Sequence, residues 1–129
     1  MFTFTVDHDA RAVRILSAGS WTPDDADRYV VEFEQHFAEA RRRFGDVRVL
    51  VDARTAAPHA PFMARRLAVL GQLFDGPGDR LAVVINSSLK KQQVSREGLP
   101  TFGMAFLSVE AAETWLFAYD QTGGIAQSA

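Results

Sequence analysis

The sequence contains no cysteine and only three histidines in 129 residues. Disulfide bonds and thiolate–metal sites are therefore excluded, and the scattered histidines do not predict a zinc site. Positive charge is not in excess either, because 14 Lys and Arg residues stand against 16 Asp and Glu residues. Without a basic surplus the chain lacks the general attraction for polyanions on which nucleic-acid binding depends, so no nucleic-acid partner is predicted.

Long apolar runs are absent as well. No stretch approaches roughly 18 uninterrupted apolar residues, and the chain opens with Met-Phe-Thr-Phe rather than with a basic segment followed by an apolar one. We therefore expect a cytoplasmic protein without a membrane span. The chain is nevertheless 47% hydrophobic and contains ten phenylalanines, which is enough for one globular domain with a substantial core.

The N-terminal third predicts a hairpin followed by a long helix. Phe2 to Val6 and Ala12 to Leu16 are short apolar segments separated by a polar break, as in two antiparallel strands. Thr22 and the proline after it provide a helix cap and a first helical residue. Apolar residues then recur at spacings of three and four until Gly45, where the helix is predicted to stop.

The rest of the chain alternates between aliphatic and amphipathic segments. Strands are predicted at Val47 to Val51, Leu81 to Ile85 and Met104 to Leu107, and helices at Phe62 to Phe74, from Ser87 or Ser88 to Arg96, and at Val109 to Tyr119. A loop is expected from Ala53 to Pro61. The fold class is therefore α/β, with a single-domain mixed sheet in which an antiparallel hairpin precedes parallel strands joined by helical crossovers.

The domain is expected to cover residues 1–119, and the small and polar residues 120–129 predict a flexible C-terminal tail. The predicted core residues come from the helix stripes and the two aliphatic strands: Phe33, Phe37, Val49, Leu50, Leu67, Leu70, Val83, Val84 and Trp115. The three consecutive arginines Arg41 to Arg43 fall in the last turn of the first helix, where they are interpreted as a solvated helix end.

The hairpin, the helix start G-S-W-T-P-D-D at Gly19 to Asp25, the strands V-R-V-L-V-D and L-A-V-V-I-N, and the closing A-A-E-T-W-L resemble the SpoIIAA-like branch of the STAS/SEC14 superfamily. The resemblance implies the same mixed sheet. In STAS antagonists of anti-sigma factors, a serine after the central strand is phosphorylated, and this switches partner binding. Here the loop from Ala53 to His59 contains Thr55 as its only hydroxyl. The SEC14-related side of the superfamily implies instead an apolar cavity for a lipid-like ligand.

Polar residues follow the two aliphatic strands, at the edge where parallel strands of an α/β sheet present their carboxyl ends. A ligand site at this edge would use the side chains of Asp52, Arg54, Thr55, Asn86, Ser87 and Ser88. Phe62 and Met63 would then supply an apolar wall. An arginine fork and free helix amides suit an anionic head on an apolar body. The alternative is that these residues only cap helices, form turns and pair locally.

No catalytic signature is present, since neither a nucleophile elbow nor a phosphate-binding loop occurs and none of His8, His36 and His59 has a partner defined by a motif. We therefore predict no enzyme activity, no cofactor and no metal. The leading hypothesis is binding of a lipid-like or other apolar-bodied anionic small molecule. The alternative is a protein-interaction module with a regulatory protein partner, and the phenylalanine-rich stripe also leaves a homodimer open.

Overall fold

Strands and helices alternate along the chain in a computed structural model that describes the backbone of residues 1–58, 61–96 and 102–128, and their side chains except at 93–96 and 119–128. The strands are β1 (Phe2–Asp7), β2 (Ala12–Gly19), β3 (Arg48–Ala56), β4 (Arg80–Val84) and β5 (Gly103–Phe106). The helices are α1 (Pro23–Phe44), α2 (Pro61–Ala68), α3 (Ser88–Arg96) and α4 (Val109–Ser128). A short 3-10 helix, Val69–Leu73, continues α2.

The five strands lie in one sheet in the order in which they occur along the chain, β1-β2-β3-β4-β5. The hairpin strands β1 and β2 pair antiparallel, with Phe2 opposite Ser17 and Asp7 opposite Ala12. Each later pairing is parallel. The predicted α/β fold with a mixed sheet is therefore confirmed.

Helix α1 begins and ends where the sequence predicts. The hydroxyl of Thr22 accepts a hydrogen bond from the backbone N–H of Asp25 at 3.2 Å, and the Asp25 carboxylate accepts one from the N–H of Thr22 at 2.8 Å. This reciprocal pair satisfies two N–H groups that have no partner within the helix. At the other end Gly45 adopts a φ of 80° and donates its N–H to the carbonyl of Arg41.

Helices cover the sheet on both faces. Neighbouring β3 residues illustrate this, because Val49 packs with the buried stripe of α1 whereas Leu50 packs with Ala112 and Leu116 of α4. Successive residues of a strand point to opposite faces, so a strand of continuous apolar residues requires a cover on each. Six predicted core residues are buried, namely Phe33, Phe37, Val49, Leu50, Leu70 and Val84. Leu67, Val83 and Trp115 are only partly buried.

Three boundaries differ from the sequence predictions by more than three residues. β3 continues to Ala56, because Thr55 and Ala56 pair with the last residues of β2, so part of the expected loop is strand. The predicted second helix changes to 3-10 geometry after Ala68. The backbone of α4 is helical as far as Ser128, beyond residue 119, where a flexible tail was predicted. A helix that has already formed extends by one hydrogen bond per residue without a new nucleation step.

The prediction of a solvated end for α1 is wrong for Arg41. Its Nη1 and Nη2 donate to the two carboxylate oxygens of Asp79 at 2.8 and 2.6 Å, and the Asp79 side chain is fully buried. Asp79 also accepts the backbone N–H groups of Val47 at 2.9 Å and Gly76 at 2.8 Å. The arginine is held because the turn before β4 places a buried carboxylate beside the end of α1. The neighbouring Arg42 and Arg43 are exposed and pair with Glu39, as a surface helix end does.

Candidate functional site

The predicted site residues lie where β3 and β4 end. Asp52 pairs with Val84, the last residue of β4, so the residues of β3 after Asp52 extend beyond their neighbour strand. The Nδ2 of Asn86 donates to the carbonyl of Arg54 at 2.8 Å and so continues the contact between the two segments. The fold therefore brings Asp52, Arg54 and Asn86 together, and Ser87 and Ser88 follow directly in the chain.

Asp52 and Arg54 form an ion pair with each other. They are two residues apart in β3, in the stretch where the register of pairing with β2 shifts by one residue. The Nε of Arg54 donates to Oδ1 of Asp52 at 2.9 Å, and its Nη2 donates to Oδ2 at 2.7 Å. These hydrogen bonds hold the pKa of Asp52 below its ordinary value, although partial burial acts in the opposite direction. The guanidinium fork expected to meet a ligand anion thus already binds a carboxylate of its own strand.

Ser87 is the N-cap of α3. Its Oγ accepts the backbone N–H of Lys90 at 3.1 Å, and its carbonyl accepts that of Lys91 at 3.0 Å. The sequence left Ser87 and Ser88 as alternatives for this role, and the hydrogen bonds identify the first. Ser88 is the exposed first residue of the helix. Binding of a phosphate or other anion at this helix start stays a prediction.

Thr55 is exposed and lies within β3, opposite Ala18 of β2. The hydroxyl is therefore on a paired strand. The expected apolar wall is present only in part, because Met63 is buried in the core while Phe62 is half exposed. Ligand binding by the six polar residues accordingly stays a prediction, and their hydrogen bonds to one another match the capping and pairing alternative.

Two exposed leucines at the same edge were missed by sequence reasoning. Leu89 lies in the first turn of α3 and Leu107 directly follows β5, with 64% and 46% of their surfaces exposed. The N–H of Ile85 donates to the carbonyl of Phe106 at 2.9 Å, which places the end of β5 beside the turn that leads into α3. The available signal was a leucine directly after two serines in a segment that is otherwise mostly polar. We call the exposed residues Arg54, Thr55, Ser88, Leu89 and Leu107 the edge surface.

The histidines lie elsewhere. The ring of His36 stacks on Phe4 at 4.8 Å with its Nδ1 2.8 Å from the carbonyl of Glu32, and the ring of His8 meets Phe44 edge-on at 6.1 Å. His59 is outside the described residues. Within the part of the chain that the structure describes, no group of three or more His, Asp and Glu side chains is arranged to hold a metal ion. The helices in that same part include none that is both long and apolar enough to cross a bilayer.

The sheet order, the pairing directions and the helices on both faces define an α/β protein with a SpoIIAA-like fold. A similar solved structure is the crystal structure of an uncharacterized protein of the DUF3478 family with a SpoIIAA-like fold, from Shewanella loihica PV-4. The similarity has a TM-score of 0.64 and covers 90% of this chain and 92% of that chain, at 19% sequence identity. No family model matches the sequence, and no curated protein matches it. The fold expected from the resemblance is confirmed, and a fold leaves function open.

Proposed function

We propose that this domain is a non-enzymatic protein-interaction module that binds an acidic segment of a regulatory protein through the edge surface. The observation that supports this function is the pair of exposed leucines, Leu89 and Leu107, at the edge where Lys90 and Lys91 lie in the first turn of α3. Exposed aliphatic side chains with polar neighbours are typical of protein-binding surfaces. The lysines favour a partner of negative charge, because complementary charges speed and orient association.

The polar groups of the edge support the same function. Arg54 binds Asp52, Asn86 binds the Arg54 carbonyl, and Ser87 caps α3. A small anion would have to displace these hydrogen bonds before it gained its own, whereas a protein surface can pack over residues that are already paired. Paired polar groups around exposed apolar ones are what the rim of a protein interface contains.

The second candidate is binding of a lipid-like molecule with an anionic head. It is favoured by Arg54, whose side chain is 46% exposed despite its ion pair, and by the half-exposed Phe62 at the start of α2. In this case the guanidinium would exchange Asp52 for the ligand head. Arg54→Ala should then weaken binding of decanoate by about tenfold or more, while the free energy of unfolding changes by no more than about 0.5 kcal/mol.

Site-specific photo-crosslinking separates the two functions. A photoreactive residue at position 89 of the full chain should capture one protein partner in cells, and an acidic peptide derived from that partner should bind the purified domain. Leu107→Asp should weaken peptide binding by about tenfold or more. Met104→Asp is the matched control, because Met104 is a similarly exposed apolar residue, with 45% of its surface accessible, near the start of β5, the strand that Leu107 follows.

Amide chemical shifts recorded during titration with decanoate complete the experiment. Saturable shifts at the edge surface, with no protein captured at position 89, would replace the proposed function with the second candidate. A captured partner whose peptide binds Leu107→Asp as tightly as the unmodified domain would show that the edge surface is not the docking site.

A further inference from the structure

A second exposed apolar cluster lies on the outer side of α1 and α2. Val31, Phe62 and Val69 each expose between 50% and 58% of their surface. They flank one ion pair that joins the two helices, in which Arg66 of α2 binds Asp27 of α1. Val31 is four residues after Asp27, Phe62 four before Arg66 and Val69 three after it, so these side chains are neighbours on their helix surfaces. We call these three apolar residues and the ion pair the helix patch.

The charges around the helix patch are separated by helix. The sequence of α2 contains Arg65 and Arg66 and no acidic residue. The segment of α1 from Asp24 to Glu34 contains one arginine, Arg28, and five acidic residues, namely Asp24, Asp25, Asp27, Glu32 and Glu34. One side of the patch is therefore negative and the other is positive.

Four of these charges, Asp24, Glu32, Glu34 and Arg65, form no ion pair with another residue in the described ranges. Glu34 and Arg65 are both exposed. Glu34 lies two turns after Asp27 on the side of α1 that faces α2, and Arg65 directly precedes the arginine that binds Asp27. The contact between Arg66 and Asp27 shows that an arginine of α2 and an acidic residue of α1 can meet on this surface.

We propose that the helix patch is the interface of a homodimer, in which α2 of each copy packs on α1 of the other around a two-fold axis. A two-fold interface must be complementary to itself, because every contact is made twice. The helix patch meets this condition in charge, since its negative half and its positive half would each face the opposite half of the second copy. Glu34 would pair with Arg65 of the second copy, and Val31, Phe62 and Val69 would be buried between them. This inference concerns a different surface from the edge surface and does not rest on the proposed function.

Sedimentation velocity of the full chain over a wide range of protein concentration tests the inference. The wild type should be a dimer that dissociates on dilution. Phe62→Asp and Val31→Asp should each weaken dimerisation by about tenfold or more, because each buries a charge among apolar side chains. Met104→Asp is the control, because it adds the same charge at a similarly exposed apolar residue outside both the helix patch and the edge surface, and the dissociation constant should not change.

Charge reversal tests the pairing across the axis. Glu34→Arg and Arg65→Glu should each weaken the dimer by about tenfold or more, and the double variant should return to within about threefold of the wild type, because the pair is restored with its signs exchanged. Far-UV circular dichroism would verify that each variant is folded. A wild type that stays monomeric at every concentration, a dimer that tolerates both apolar substitutions, or reversal effects that add instead of cancelling would overturn the inference.

Discussion

Replacing Asp79 by asparagine should destabilise the fold by several times more than any substitution of an exposed carboxylate. The Asp79 side chain is fully buried and accepts four hydrogen bonds, two from Arg41 and one each from the N–H groups of Val47 and Gly76. Asparagine has the same shape but keeps one acceptor oxygen and presents an NH₂ group to donors. The substitution therefore removes the negative charge and leaves buried donors without an acceptor.

The magnitude follows from these contacts. Removing one partner of a buried ion pair destabilises by about 3–5 kcal/mol, mainly because the other charge is left unpaired. Arg41 is one-third exposed, so water can rehydrate part of its guanidinium and lower this figure. The backbone N–H of Val47 is buried, and leaving it without an acceptor would reduce the stability of the fold by about 1–3 kcal/mol. We expect Asp79→Asn to reduce the free energy of unfolding by about 2–4 kcal/mol.

Urea denaturation followed by tryptophan fluorescence measures this difference, and Asp75→Asn provides a matched control. Asp75 binds the same arginine at 3.1 Å, but 82% of its side chain is exposed, so its removal should change stability by less than about 0.5 kcal/mol. If both substitutions had the same effect, or if Asp79→Asn lost less than about 1 kcal/mol, the reasoning from burial would be refuted.

The effect of Asp79→Asn on stability should depend on pH. Burial raises the pKa of Asp79, but the hydrogen bonds from Arg41, Val47 and Gly76 outweigh burial, and the pKa lies below its ordinary value. A carboxylate with a depressed folded-state pKa stabilises the fold above its unfolded-state pKa, and this stabilisation is lost as the pH falls through the folded-state value. The difference in stability between wild type and Asp79→Asn should therefore be constant near neutral pH and shrink below about pH 4.

Three further outcomes are expected. Thr22→Ala should reduce the free energy of unfolding by about 1 kcal/mol through loss of the α1 cap, and an equal effect of Ser20→Ala, at an exposed residue before the cap, would argue against that role. Phe33→Ala should remove about 3–5 kcal/mol because the ring is buried against other aromatic rings, whereas Leu89→Ala at an exposed site should change little. Mass spectrometry after incubation with an anti-sigma type kinase should find Thr55 unmodified, and stoichiometric modification that abolishes partner binding would contradict this.

The fold could be predicted to the extent that its signals are local. The spacing of apolar residues in α1 and the hydrogen bonds of Thr22 both act within a few residues, and the observed helix has the predicted bounds. The continuous apolar residues of β3 required cover on both faces, which α1 and α4 provide. β3 extends beyond the predicted strand because β2 is long enough to pair with Thr55 and Ala56, and the length of a neighbour strand is not encoded locally.

The buried ion pair could not be found in the same way. Arg41 and Asp79 are 38 residues apart. Each lies in a segment whose composition already has a local explanation: Arg41 is in an arginine-rich helix end, and Asp79 is in a glycine-rich turn. What distinguishes Arg41 from Arg42 and Arg43 is only the direction in which its side chain leaves the helix. This direction leads to an ion pair only because the turn before β4 lies beside the end of α1 in the packed domain.

For the candidate site, too, the sequence predicted which residues lie together but not whether their polar groups are already paired. Chain topology was sufficient to place Asp52, Arg54 and Asn86 together, because parallel strands end at one edge of the sheet. Whether their polar groups are free to bind a ligand depends on distances of about one hydrogen bond, and here Arg54 meets Asp52 within its own strand. The polar side chains at this edge can form hydrogen bonds with one another, but the exposed apolar ones cannot. Leu89 and Leu107 therefore stay exposed to water until another surface covers them. The edge is therefore better suited to a partner that buries apolar surface than to one that must compete for hydrogen bonds already formed.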